Sequence, residues 1–236
     1  MQFQKNIQFI NKAVHLKNEK ILVISDIHIG YEEALNKQGI FIPRFQFKET
    51  IEDIKKILKE TGKLDKIIIL GDLKHEFGTI SEQEWNETLD FLTILEKNTN
   101  EIILIKGNHD TILGPIANKK NIKIQDYYKL KEYFFCHGNK LFQEIFDKKI
   151  KYIFLGHLHP AVALKEESKI EKYKCFLVGK ERGKTIILLP SFIPIIEGSD
   201  LIKENMKIFG KISINNFKVY AVEDKIYYLG KYKKFG

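Results

Sequence analysis

Cysteine is scarce in this chain. There are two, Cys136 and Cys175, in 236 residues, and neither belongs to a Cys-x-x-Cys pair. That excludes a disulfide framework and a thiolate zinc knuckle. Arginine is as rare: Arg44 and Arg182 are the only two, although Lys and Arg together number 39 and the net charge is +8. A basic chain invites a nucleic-acid partner. Specific phosphate and base recognition leans on the planar arginine fork, whereas lysine spread along helices forms a solvated face. The charge alone therefore does not select that partner. Long apolar runs are missing too. Thr185 to Ile196 is the best candidate, and Pro190, Ser191 and Pro194 break it well short of a bilayer span. The first twenty residues lack the continuous apolar core of a secretory leader. The expectation is a cytoplasmic protein with no membrane partner. No linker, repeat or low-complexity tract divides the chain, so one domain over residues 1–236 is expected.

What is present is a series of short apolar runs. Ala13 to Leu16, a polar turn at Lys17 to Lys20 and Ile21 to Ser25 read as a hairpin. Ile21-Leu22-Val23-Ile24, Ile67-Ile68-Ile69-Leu70 and Ile102-Ile103-Leu104-Ile105 read as strands buried on both faces. Between them lie helical patterns: Tyr31 to Lys37 closed by Gly39, Phe47 to Thr61 stopped by Gly62, and a helix through Leu95 opened by the capping box Ser81-Glu82-Gln83-Glu84. This alternation predicts an α/β arrangement with a largely parallel sheet. Further on, Tyr127 to Cys136 reads as a hairpin and Leu141 to Phe146 as a short helix. Ile153 to Leu155 and short strands at Ala161–Leu164, Tyr173–Val178, Thr185–Leu189, Lys218–Val222 and Ile226–Leu229 follow. These predict a second, antiparallel sheet.

Five apolar runs end in residues that make poor core. The ends are Asp26-x-His28, Gly71-Asp72, Gly107-Asn108-His109-Asp110, His137 and Gly156-His157-x-His159. In open α/β sheets the site lies beyond the carboxyl ends of the strands, which brings these distant segments together. Of seven histidines, five sit in these clusters, and a sixth, His75, follows Asp72 by three residues. Imidazole, carboxylate and one amide oxygen, without thiolate, suit Mn, Fe, Co, Ni or Zn and argue against a closed structural zinc site. The paired ligands project to one side if their backbone is extended. There are more donors than one ion needs, so two ions bridged by one carboxylate is the economical reading.

The five blocks, in this order, resemble those of the calcineurin-like metallophosphoesterases. The flanks Gly39-Ile40-Phe41-Ile42-Pro43-Arg44, Gly71 to Gly78, and Leu189-Pro190-Ser191-Phe192 with Glu197-Gly198 are similar to an archaeal branch near the bacterial ligase-associated members. The resemblance implies a four-layer α/β/β/α sandwich of two mixed sheets flanked by helices. It implies two divalent ions, foremost Mn: Asp26, His28 and His159 on the first, Asn108, His137 and His157 on the second, and Asp72 between them. It implies His109 as the acid near the leaving group and Asp110 as the acceptor that orients it. Many relatives read His-Gly-His at the fourth block, where this chain has His137-Gly138-Asn139.

The implied activity is hydrolysis of a phosphoester, foremost a phosphodiester, by metal-bound hydroxide without a covalent intermediate. Nuclease action on DNA or RNA, phosphomonoester or phosphoprotein hydrolysis, and a non-catalytic scaffold of the same fold are the alternatives. Nucleic acid therefore stays open as a partner, as does the oligomeric state. Around the centre, His75 and Arg44 are candidate substrate contacts. Lys74 and Lys106 read as solvated, the segment around Arg182 as a hairpin turn, His15 as structural and Cys136 as core.

Overall fold

Every apolar run of the first half becomes a strand covered on both faces. The structure, a computed structural model, describes residues 1–76, 78, 80–166 and 169–235; Phe77, within one of the flanks quoted above, lies outside them. The order is β1 (Ile7–Ile10), β2 (Ala13–Leu16), β3 (Ile21–Ile24), α1 (Tyr31–Lys37), α2 (Gln46–Thr61), β4 (Leu64–Ile69), α3 (Glu82–Glu96), β5 (Thr99–Ile105), α4 (Gly114–Lys119) and β6 (Lys123–Gln125). These strands form one sheet in chain order, antiparallel through β3 and parallel from β3 to β6. Gly39, at φ +84°, ends α1 as its sequence suggests, donating to the Asn36 carbonyl.

The second sheet contains β7 (Tyr127–Leu130), β8 (Tyr133–Cys136), β9 (Tyr152–Leu155), β10 (Ala161–Glu166), β11 (Lys169–Glu181), β12 (Lys184–Leu188), β13 (Lys218–Val222) and β14 (Ile226–Lys231). Its order is β14-β13-β11-β12-β9-β8-β7, with β10 attached to β11. The sheet is mixed, not antiparallel throughout: β9 runs parallel to both β8 and β12. Residues 137–151 carry the chain across from β8 to β9, and four-residue strands keep no local trace of such a crossover. The short helix expected at Leu141 to Phe146 is a 3-10 turn over Gln143–Phe146.

Side-chain alternation sorts the residues into three cores. Leu22, Ile24, Ile67, Ile69, Ile102 and Leu104 face α2 and α3, meeting Ile54, Leu58, Phe91 and Leu95. Their neighbours Val23, Ile68, Leu70, Ile103 and Ile105 face the second sheet and meet Phe135, Phe154, Phe176, Ile187 and Leu189. The outer face of the second sheet buries Phe134, Ile153, Leu155, Ile186 and Leu188 beneath Leu201, Ile208, Ile214, Phe217 and Tyr232. The outermost layer there is irregular chain with 3-10 turns, because Lys, Asn and Gly interrupt any helical stripe between residues 200 and 217. The two stacked mixed sheets are those of the expected sandwich, whose fourth layer, expected as helix, is this irregular chain. Among the described residues no helix is long and apolar enough to cross a membrane.

Phe176 sits at the middle of the inter-sheet core, stacked on Phe9 with centroids 4.3 Å apart. Replacing it with alanine removes that packing and leaves a cavity between the sheets. Phe176→Ala should lose about 3–5 kcal/mol, read from the urea midpoint at unchanged m-value; a loss below about 1 kcal/mol would show that the sheets are not held at this point.

Candidate metal centre

All five polar strand ends meet at one edge of the sandwich. β3, β4 and β5 are neighbours in the first sheet, and β8 and β9 in the second. Their carboxyl ends deliver Asp26 and His28, Asp72, Asn108, His137, and His157 and His159. The loops are tied across the gap between the sheets. The His157 N–H donates to Asp26 Oδ2 at 3.0 Å, and His137 Nδ1 lies 2.6 Å from the Leu70 carbonyl. Within the first sheet, the Asp26 and His28 N–H groups donate to the Gly71 and Asp72 carbonyls.

Close approach dictates the glycines. A Cβ on Gly156 would overlap Ser25 Oγ and Asp26 Oδ2, and one on Gly107 would overlap Asp72 Oδ1. The ligand backbone is not extended, contrary to the simple alternation expected of Asp-x-His and His-x-His. Asp26, His28, Asp72, His157 and His159 all take left-handed φ, between +46° and +71°. Such residues cost of order 1 kcal/mol or more each unless tertiary contacts impose them. Here the cross-sheet hydrogen bonds do so.

Two carboxylate-containing donor triads result, and His28 also groups with His75 and His109. Asp26, His28 and His159 form one, and Asp72, His137 and His157 the other, each with donor atoms within 4.8 Å of one another. His159 Nε2 stands 3.2 Å from Asp26 Oδ1. Asn108 Oδ1 joins the second triad, 3.0 Å from His137 Nε2. Asp72 Oδ2 lies between the two, 3.6 Å from His28 Nε2 and 3.2 Å from His137 Nε2. Its other oxygen accepts from the His109 N–H at 2.8 Å.

The chemistry of these donors fits divalent cations. His28 Nε2 is buried without a hydrogen-bond partner. The Leu70 carbonyl takes the Nδ1 proton of His137, so in the neutral ring Nε2 presents a lone pair to the oxygens of Asp72 and Asn108. Electron pairs facing one another across about 3 Å call for positive charge between them. The electrostatics of the individual groups carry the same demand. Burial opposes it, yet the Asp72 hydrogen bond and the Asp26 charge raise His137 to about 9. Burial also opposes ionisation of Asp26, and the charges of His159, His137 and His28 hold it below the ordinary carboxylate range. Burial lowers His28 to about 3, leaving it a neutral ligand.

His109 and Asp110 stand beside the triads, but not as a bonded pair. The Asp110 carboxylate accepts from the N–H groups of Asp72 (2.7 Å), Gly107 (2.9 Å) and Leu73 (3.1 Å). Burial, then the Asp72 charge, raises it to about 6. Asp110 thus fastens the Asp72 loop to the Gly107 loop. The partner of His109 Nδ1 is the His75 carbonyl at 2.6 Å. A carboxylate pointing back into its own loop cannot also reach the next side chain outward.

His75 is drawn into the centre. Its Nδ1 lies 3.3 Å from His28 Nδ1, and its ring stacks on His109 at 5.1 Å. With His28 Nε2 presented to an ion, His28 Nδ1 carries the proton and His75 accepts it. Arg44 is not gathered there. It is exposed on the loop between α1 and α2, where its charge bears on Glu87 of α3. Lys74 is fully buried, contrary to its solvated reading, and donates to the carbonyls of His109 (3.0 Å) and Glu76. Glu84 also departs from expectation. Ser81 caps α3, but the Glu84 carboxylate accepts from the His75 and Glu76 N–H groups at 2.9 and 3.0 Å, not from Ser81. Lys174 is a third residue that sequence reasoning missed; it donates to the carbonyls of Ser191 and Ile193. Lys74 and Glu84 had one available signal, a position within three residues of a motif or cap; Lys174 had none.

The family model for calcineurin-like phosphoesterases matches residues 19–177, which span all five motif blocks. The chain belongs to that family. The chain is similar in fold to the nuclease MPE of Pseudomonas putida, with a TM-score of 0.67 at 20% identity over 95% of this chain and 100% of that one. Weaker likenesses are a protein of unknown function from Aquifex aeolicus (TM-score 0.40, 23% identity, 62% of this chain and 81% of that one) and zinc-complexed Vps29 from Entamoeba histolytica (TM-score 0.40, 14% identity, 90% and 98%). No curated protein matches it.

Two outcomes follow for the phosphoesterase. Gly156→Ala should displace Asp26 and cut metal binding at the first triad at least tenfold by titration calorimetry, while α-helical circular dichroism is retained; wild-type affinity would refute the packing argument. Burial, then the His109 charge, lowers His75 to about 4, against about 6.5 in the unfolded chain. The folded metal-free protein therefore binds fewer protons than the unfolded chain between those values. The contribution of His75 is full above about pH 6.5 and is lost as pH falls toward 4. His75→Gln should flatten the acid limb of the melting temperature against pH, and an unaltered limb would show that His75 is not held neutral.

Proposed function

We propose that this phosphoesterase hydrolyses phosphodiesters at a dinuclear centre. The observation that carries the reading is Asp72 Oδ2 standing between two complete donor triads, one of which contains the unpartnered Nε2 of His28. Asp26, His28 and His159 would hold one divalent ion, Asn108, His137 and His157 the other, and Asp72 both. Borderline-hard nitrogen and oxygen donors favour Mn, with Fe, Co, Ni and Zn as competitors. Two ions of this kind, when bound, would supply Lewis-acid stabilisation of the phosphoryl oxygens and would acidify a water.

The protein's own groups do the rest. His109 is fixed through its backbone N–H on Asp72 and its Nδ1 on the His75 carbonyl. That places its ring over His28, with centroids 4.7 Å apart, at the mouth of the first triad. Protonated at Nε2, it donates to the departing oxygen or balances the charge of the pentacoordinate phosphorus. Asp110 and Lys74 act as positioning residues, holding the Asp72 and His109 loops at fixed separation.

Diesters rank above monoesters for two reasons. A diester carries one negative charge, and the groups beside the triads include histidines but no arginine clamp for a dianion. The neighbouring fold of nuclease MPE makes nucleic-acid diesters the first natural substrates to try.

With Mn²⁺, the protein should hydrolyse bis-p-nitrophenyl phosphate faster than p-nitrophenyl phosphate, and the reverse order would overturn the diester assignment. Asn108→Ala should weaken metal binding. His109→Ala should retain both ions by elemental analysis yet lose about 10²–10⁴-fold in kcat; full activity in His109→Ala would remove the acid from the scheme.

A further inference from the structure

β11 is 13 residues long, but it pairs with β12 and β13 only from Cys175 onward. Residues 169–174 have β10 as their strand partner, so the two leave the sheet as a ribbon. The ribbon starts two residues after His159. Its register sets Ala161 opposite Lys174, Ala163 opposite Lys172, and Lys165 opposite Ile170. Cross-strand partners share a face, and alternate pairs lie on the same one. One face therefore carries Lys174, Lys172, Lys165, Ile170 and two alanines and, among the described residues, no acid.

The other face is already committed. Val162, Leu164 and Tyr173 pack into the outer core, and Glu171 pairs with Lys169 and accepts from the Tyr173 hydroxyl. On the lysine face, Lys165 and Lys172 are exposed and, among the described residues, form no ion pair; Ile170 is 60% exposed. Its orientation is fixed by Lys174, which donates to Ser191 Oγ at 2.9 Å and to the Ser191 and Ile193 carbonyls. Between those residues, the Phe192 N–H donates to the Asp26 carbonyl at 3.0 Å. The lysine face thus abuts the loop that braces the first triad. At about 3.4 Å per residue, Lys172 and Lys165 stand roughly 7 and 14 Å beyond the Lys174 rung.

We propose that the β10–β11 ribbon is a tracking surface for a nucleic-acid strand whose scissile diester lies at the metal centre. The inference rests on the phosphodiesterase reading and adds a polymeric substrate to it. Lys172 and Lys165 take successive backbone phosphates, Ala163 lets the strand approach the ribbon, and Ile170 offers its apolar surface to a base. A small diester would fill the centre without touching the ribbon.

The test uses the full chain in EDTA and a fluorescein-labelled, 20-nucleotide single-stranded DNA, with anisotropy measured from low to high salt. Lys165→Gln/Lys172→Gln should weaken binding on the order of tenfold at low salt and lower the log–log salt slope by about 1.4, at about 0.7 per phosphate. Lys55→Gln/Lys59→Gln, an equal charge change on exposed positions of α2, should leave the slope alone. With Mn²⁺ the ribbon variant should keep wild-type turnover of bis-p-nitrophenyl phosphate and lose oligonucleotide cleavage at subsaturating substrate. A wild-type slope in the ribbon variant, or an equal drop in the α2 variant, would overturn the surface. If the wild type turns over no diester while the ribbon still sets the salt slope, the hydrolase reading fails and the surface stands.

Discussion

Asp72 connects every part of the centre through one side chain and its flanking amides. Oδ2 faces an imidazole from each triad, Oδ1 takes the His109 N–H, and the Asp72 N–H lies on Asp110. One carboxylate thus fixes the spacing of the two triads and the position of His109 beside them. It can do so because Gly107 leaves room for it and Asp110 absorbs the amides around it. Electrostatically the arrangement is unfavourable alone, since buried carboxylates repel and their desolvation is costly. The imidazoles around them offset part of that cost.

The parts of this architecture that were legible from sequence were those with local causes. Strand β3 and the C-terminal halves of β4 and β5 are short runs of Ile, Leu and Val, and fully covered stretches need no polar alternation. The gathering of the polar strand ends could be read because polar residues recurring there have few structural explanations. Direction in the second sheet was not legible. Nothing in Tyr152 to Leu155 says whether its neighbours run with it, since pairing is decided by the path of residues 137–151. Asp110 was misassigned for a related reason: adjacency in sequence suggested a bond to His109, but the tight loop turns its carboxylate back onto three amides. Lys74 was misread because a lone lysine is ordinarily solvated. Its burial depends on the Glu76 carbonyl beside it and on the His109 carbonyl over thirty residues away.

The ribbon shows how far such placement reaches. Lys174 looks like any other lysine of a basic chain, and its neighbours Lys172 and Lys165 have no motif. Only the register of β10 on β11 puts them on one side, and only the Ser191 loop says which side faces the centre. The charge that composition left ambiguous thereby acquires a location. Electrostatic steering depends on where charge is placed more than on its total.

The left-handed backbone at Asp26, His28, Asp72, His157 and His159 limits how this chain can drift. Aspartate, asparagine and histidine tolerate that conformation better than most residues, and β-branched residues tolerate it worst. The residue types that the chemistry requires are therefore among the few that the loops accept. A lineage released from selection for catalysis would not fill these positions with valine or isoleucine, because the loops would break and both sheets would lose their cross-ties. It would exchange histidine for asparagine, or aspartate for asparagine or glycine, and keep the sandwich. Loss of activity in such a descendant would leave the loop geometry in place, as a ready platform for another use.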